Sequence, residues 1–169
     1  LNVAKTQNLS ICLFHLEISK EQISNRLLSM ELGIESGRLR TGRLQQDEWF
    51  ALDEGINALS KLPLHITDKP ISSIQGMQSI CQKIKEESTK KSLGLVIIDY
   101  IQLLDYLPLS EVSNREEYLL KLAKSLKRMA EELNVPVIII SQLSKDVEKR
   151  RNKRPMLSDI RDFEPLEVY

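Results

Sequence analysis

Two stretches decide the fold: Leu93-Gly-Leu-Val-Ile-Ile-Asp99 and Val135-Pro-Val-Ile-Ile-Ile-Ser-Gln142. Both are short apolar runs rich in β-branched residues, the composition of strands covered on both faces of a parallel sheet. Each gives way to polar side chains at its carboxyl end. Working outward, Ser10-Ile-Cys-Leu-Phe-His-Leu-Glu17 is another such run closing on a carboxylate, and Leu64-His-Ile-Thr67 is a shorter one. Between the runs the periodicity becomes helical. Ser19 and Gln22 are spaced as a capping box ahead of Ile23, Leu27 and Met30, which share one face. Trp49, Leu52, Ile56 and Leu59 mark a second amphipathic helix, and Ile74, Met77, Cys81 and Ile84 a third, with Ser72 or Ser73 as N-cap. The longest opens on the Ser113–Glu116 capping box and runs through Leu119, Leu122, Leu126, Met129 and Leu133, with Pro136 preventing its extension. Leu1–Gln7 reads as the last turns of a helix, and Asp105–Val112 and the charged stretch after Leu143 read as loops. Strand–helix alternation of this kind predicts an α/β domain with a mainly parallel sheet.

Composition narrows the class without naming a function. The 169 residues are 41% hydrophobic, enough for one ordinary core. The 24 Lys+Arg balance 24 Asp+Glu, so any nucleic-acid affinity must come from local clustering. Cys12 and Cys81 are far apart in the chain, match no metal-ligand spacing and read as reduced thiols of an intracellular protein. No apolar stretch approaches the roughly 18 residues of a membrane span. No signal peptide is visible, no internal repeat or low-complexity linker interrupts the chain, and Leu1 in place of Met reads as a fragment or processed product.

In a parallel sheet, ligands bind outside the carboxyl ends of the strands. Glu17, Asp99 and the Ser141-Gln142 pair fall there. A buried strand closing on Asp suits Mg-nucleotide chemistry, since the apolar run anchors the backbone while the carboxylate reaches the cation or its waters. Taken singly, an Asp at a strand end is a turn or cap residue more often than a metal partner. Glu17 could accept a proton from an attacking water, or simply lead into the Ser19 cap. The Gln142 amide both donates and accepts, which suits a γ-phosphate, but polar residues are ordinary at strand exits. His15 and His65 lie in strand-like runs and read as structural. No Gly-x-x-x-x-Gly-Lys-Ser/Thr phosphate loop occurs, and only six glycines are present. Residues 145–154 hold six basic groups against Asp146 and Glu148, a cluster that suits phosphate backbones or a solvated surface. No aromatic residue interleaves it, so base stacking within it is not indicated.

Several blocks, in order, resemble DnaB-type replicative DNA helicases. His15-Leu-Glu17-Ile-Ser resembles their Ser-Leu-Glu-Met-Ser segment, Leu39-Arg-Thr-Gly-Arg-Leu44 the turn before their Trp-bearing helix (here Trp49), and Ile97-Ile-Asp99-Tyr-Ile-Gln-Leu-Leu104 their Walker B strand. Leu133-Asn-Val-Pro-Val137, Ser141-Gln-Leu-Ser144 and Lys153-Arg-Pro-Met-Leu-Ser-Asp-Ile-Arg161 follow in family order. The last block is the most diagnostic against other RecA-like ATPases.

The resemblance implies a RecA-like P-loop NTPase core over residues 1–162, truncated at both ends, with 163–169 a divergent tail. It assigns Glu17 to activating the attacking water, Asp99 to Mg²⁺, and Gln142 to sensing the γ-phosphate of ATP. It places Arg161 in a loop touching single-stranded DNA and draws Arg150, Arg151 and Arg154 toward the same channel. It implies a homohexameric ring with primase and helicase-loader partners, in a bacterial cytoplasm or an organelle of bacterial descent such as a plastid, with no membrane association. Two departures stand against it: the family's phosphate loop lies upstream of the position of Leu1, and the match fades after Asp162, before the strands carrying basic residues toward a neighbour's ATP. Another RecA-like ATPase and a non-catalytic remnant of a helicase gene are the alternatives. Lacking a phosphate loop, these 169 residues alone are expected neither to bind ATP tightly nor to hydrolyse it. A steady-state ATPase assay with turnover that Glu17→Gln abolishes would contradict this.

Overall fold

A computed structural model describes residues 1–67, 73–87, 92–104 and 115–160, those at 115 and 116 by backbone only. The element order is α1 (Asn2–Thr6), β1 (Ser10–His15), α2 (Lys20–Leu32), α3 (Ser36–Thr41), α4 (Gln46–Ser60), β2 (Leu64–Thr67), α5 (Ile74–Glu87), β3 (Leu93–Asp99), α6 (Arg115–Leu133), β4 (Val137–Ile140) and α7 (Asp146–Lys149). Short 3-10 turns follow β3 at Ile101–Leu103 and α7 at Leu157–Asp159. The strands form one all-parallel sheet in the order β2-β1-β3-β4, as the strand–helix alternation predicts. The chain steps from β1 to β2 on one side, then returns past β1 to β3 and β4 on the other. Winding thus reverses between β1 and β3, the place where an open α/β sheet leaves a crevice beyond its carboxyl ends.

Side-chain alternation along each strand divides the sheet into two faces. Cys12, Phe14, Val96 and Ile98 point to one face, where they pack with Ile74, Met77 and Cys81 of α5 and with Leu119, Leu122, Leu126, Met129 and Leu133 of α6. The helical stripes read from the sequence on α5 and α6 are this core, and each fully buried apolar side chain contributes about 1.5–3 kcal/mol. Cys12 and Cys81, distant in sequence, meet here as buried free thiols; hydrogen bonding to Cys12 and then burial push the Cys81 thiol up. Gly94 is dictated by a close approach, since a Cβ there would stand 2.6 Å from the Leu9 side chain.

The caps follow the sequence closely. Ser19 and Gln22 form a reciprocal capping box, with Ser19 N donating to Gln22 Oε1 at 3.1 Å and Gln22 N to Ser19 Oγ at 3.4 Å. Ser73 Oγ accepts from Gly76 N at 3.2 Å at the start of α5, whereas Ser72 lies outside the described residues. The turn between α3 and α4 is held by Arg38, which pairs with Glu48; hydrogen bonds from the Gln45 amide and then from Arg38 hold the Glu48 carboxyl below its usual range. The expected Ser113–Glu116 box and the Asp105–Val112 loop also lie outside the described residues.

Three expectations are corrected. Met30 shares the angular position of Ile23 but is 74% exposed, because nothing described covers that side of the last turn of α2; Ile23 and Leu28 are its buried residues. The stripe on α4 is also largely open: Trp49 is 51% exposed, and Gly55 is the one buried residue of the helix, with Leu32 of α2 packed over it. A stripe spaced at helical period identifies the helix but not what lies opposite. Finally, β4 is covered on one face only. Val137 and Ile139 pack against the core, while Ile138 and Ile140 are 48% and 43% exposed.

Candidate functional site

The register of the sheet builds the site. His15 of β1 lies opposite Asp99 of β3, and Asp99 lies opposite Ile140 of β4. The carboxyl ends of three adjacent strands therefore stop level with one another, about 4.8 Å apart from strand to strand. Glu17 follows two residues beyond β1, Asp99 closes β3, and Ser141 and Gln142 leave β4. The structure thus gathers Glu17, Asp99 and Gln142 at one edge of the sheet, at the reversal of winding. Leu16 N continues the ladder past the end of β1 by donating to Asp99 O at 2.8 Å.

Each of the three groups sits differently. Glu17 is exposed, and its carboxylate has no hydrogen bond or ion pair among the described residues. Asp99 is partly buried, with Oδ2 2.9 Å from His15 Nε2; its other oxygen accepts nothing among the described residues. Gln142 is exposed, and its amide N–H reaches Gln102 Oε1 at 3.4 Å. Gln102 also donates from Nε2 to Ser141 Oγ at 2.8 Å, so the turn after β3 is tied to the exit of β4.

Sequence reasoning missed two of these participants. His15 reads as a core residue from its apolar neighbours, and it is indeed 7% exposed, yet its ring touches Asp99. Gln102 lies in the Walker B block but carries no sign that it would meet a strand about forty positions later. The one usable signal is parity: in a strand that alternates, His15 must share a face with Ile11 and Leu13 and, at level register, with Asp99. His65 keeps its structural reading. It lines a groove of about 610 Å³ between α2, α4, β2 and α5, and burial lowers its pKa.

Beyond β4 the basic segment folds back on the site. An isolated antiparallel bridge joins Leu143 to Ile160, and Ser144 N donates to Asp159 O at 2.7 Å. Half of the segment's cations are committed. Lys149 pairs with Asp146, raising the lysine pKa and lowering that of the aspartate, and Lys153 pairs with Glu148. Arg150 pairs with the buried Asp159 and also donates to Arg154 O. Arg151 and Arg154 are exposed and make no ion pair among the described residues. Arg161 lies outside them, as does the expected boundary after residue 162.

With this geometry in place, comparison with known proteins decides the family. The family described as the DnaB-like helicase C-terminal domain matches residues 1–168. The chain belongs to that family. Among relatives, it is 47% identical over 161 residues to the replicative DNA helicase DnaB of Nostoc sp., covering 95% of this chain and 18% of that protein. It is 46% identical over 166 residues to a probable replicative DNA helicase of Trieres chinensis, covering 98% of this chain and 36% of that protein. The chain therefore spans only about a fifth to a third of these two relatives. Two solved structures superpose with a TM-score of 0.88 at 32% identity, each over 99% of this chain. One is a helicase ATPase domain, of which 58% is covered. The other is a DnaB-like replicative helicase described with its interactions with primase, of which 39% is covered. The four-stranded parallel sheet flanked by helices is the RecA-like core of DnaB ATPase domains. No described helix is long and apolar enough to cross a membrane.

Proposed function

We propose that this chain supplies the acidic half of the ATP-hydrolysing site of a replicative DNA helicase, which couples hydrolysis to translocation on single-stranded DNA and to duplex unwinding. The observation that carries the reading is the level register of His15, Asp99 and Ile140, which brings three chemically distinct groups to one sheet edge. Glu17, unpaired and solvent-facing, acts as general base toward the attacking water. Asp99 keeps one carboxylate oxygen available for Mg²⁺ or a water bound to it, the oxygen chemistry that this ion prefers. When bound, Mg²⁺ supplies charge neutralisation at the phosphates. Gln142 registers the γ-phosphate, and its tie to Gln102 passes that state to the turn after β3. The residues present fit the metal and water side of the site; the phosphate cradle is not among them. The hydrolytic role is tested by single-strand-stimulated ATP turnover of Glu17→Gln and Asp99→Asn variants of the longer protein.

For the DNA side, Arg151 and Arg154 are the proposed phosphate contacts, with Lys153 close by and Arg161 next along the chain. Arg150 fits a supporting role better, because its guanidinium is engaged by Asp159. Neutralising Arg151 and Arg154 together is expected to weaken single-strand binding and to flatten its log–log salt dependence by about 0.7 for each phosphate left unneutralised. Fluorescence anisotropy across a salt series measures this, and an unchanged slope would return the segment to solvated surface. By family, the intact protein is proposed to work as a homohexameric ring with primase and a helicase loader as partners. A bacterial cytoplasm or a plastid is the proposed setting.

A further inference from the structure

We infer that His15 is a positioning residue that locks both carboxylates of the site, holding the Asp99 side chain with one ring nitrogen and the Glu17 backbone with the other. The inference rests on the roles proposed for Glu17 and Asp99. Its own basis is geometric. His15 Nδ1 lies 3.3 Å from Glu17 N and 3.2 Å from Ile18 N. Two amide N–H groups converge on that nitrogen, so it must offer its lone pair, and the ring proton belongs on Nε2. Nε2 in turn stands 2.9 Å from Asp99 Oδ2 and donates to it. With the ring buried at 7% exposure, neither nitrogen exchanges its partner readily for water.

The consequence differs at the two ends. At Asp99, pinning Oδ2 fixes the carboxylate rotamer and leaves the remaining oxygen as the acceptor for a cation or its water. At Glu17, anchoring the amide fixes the turn that leads from β1 into the Ser19 cap, and with it the root of the Glu17 side chain. A serine, which occupies this position in the segment that the chain resembles, has one short hydroxyl and cannot span both contacts. The imidazole therefore adds to this chain a bridge between β1 and β3 that a serine does not form. Partners that orient a metal-binding group typically change metal affinity by about 10- to 100-fold when removed.

The test uses the longer helicase carrying this domain, with His15→Leu, which keeps the volume and removes both contacts, and His15→Gln, whose amide can still donate to Asp99. Equilibrium binding of Mn²⁺, standing in for Mg²⁺, is measured by electron paramagnetic resonance with a non-hydrolysable ATP analogue present. ATP turnover is then titrated with Mg²⁺. His15→Leu is expected to weaken Mn²⁺ binding about tenfold and to raise the half-saturating Mg²⁺ by a similar factor. The KM for ATP at saturating Mg²⁺ is expected to stay near the parent value. His15→Gln is expected to recover most of the loss. Parent-like Mn²⁺ binding by His15→Leu would overturn the inference, as would His15→Gln failing as badly as His15→Leu in a folded protein. If His15→Leu does not fold, the decision passes to His15→Gln against His15→Asn, since Asn is too short to reach Asp99 and should bind Mn²⁺ more weakly. Asp99→Asn is run alongside. If it leaves Mn²⁺ binding intact, the reading of the site itself fails; if it alone loses binding, only the role of His15 does.

Discussion

Glu17→Gln and Asp99→Asn, introduced one at a time into the longer protein, are expected to abolish DNA unwinding and to cut single-strand-stimulated ATP turnover by about 100- to 10,000-fold, the usual contribution of a positioned general base or its equivalent. Both changes conserve shape, and the structure explains why neither should disturb the fold. Glu17 is exposed and engages no other described side chain, so Gln there should alter stability by no more than about 0.5 kcal/mol. Asn at position 99 can still accept the His15 Nε2–H through its carbonyl oxygen, which preserves the link between β1 and β3. What each substitution removes is charge and basicity at the sheet edge. The two should separate in binding: Glu17→Gln should retain nucleotide, whereas Asp99→Asn should lose metal-dependent affinity. Thermal melting alongside turnover makes the comparison clean. Unwinding at the parent rate by either variant would sink the assignment of that residue.

Arg150→Ala is expected to destabilise the segment after β4 by about 2 kcal/mol, because it strips a buried carboxylate of its partner cation. Asp159 is 6% exposed and accepts from Arg150 and, at 2.7 Å, from Met156 N; with the guanidinium gone, only the amide remains. The effect should be local. Amides of Ser144, Met156 and Asp159, whose hydrogen bonds close this loop, should exchange with solvent markedly faster, while those of β1 and β3 should not change. Arg151→Ala, one residue along, should leave all of these rates alone and weaken single-strand binding instead. Hydrogen exchange read by mass spectrometry distinguishes the two. If Arg150→Ala leaves exchange untouched and lowers the salt slope of DNA binding, Arg150 is a phosphate contact after all.

How much could be read in the sequence depended on whether a signal was local. The bounds of β3 and β2 match their apolar runs, since a buried strand must stay apolar along its whole length. The Ser19 cap and the leucine stripe of α6 were equally legible, because their partners lie within one or two helical turns or in a fully buried face. Trp49 and Ile56 misled for the same reason: periodicity reports an apolar side of a helix, not whether anything covers it. The site was half legible. Glu17, Asp99 and Gln142 were placed by the rule that ligands gather at strand carboxyl ends, and the ordered blocks resembling DnaB-type helicases raised them above ordinary turn residues. His15 and Gln102 were not legible, because each acts across a register that no local spacing records. The commitment of Arg150 to Asp159 was hidden likewise, nine positions apart within a run that composition treats as uniform charge.

The last strand of the sheet has one further consequence. Along β4, Ile138 and Ile140 face outward, and the backbone edge beyond them has no partner strand among the described residues. An exposed edge of consecutive isoleucines is a template for another strand, whichever chain supplies it. Within a larger assembly that edge is a joining surface. Handled as an isolated polypeptide, the same residues favour intermolecular pairing, so solubility, more than folding, is what sets the concentration at which this chain can be studied on its own.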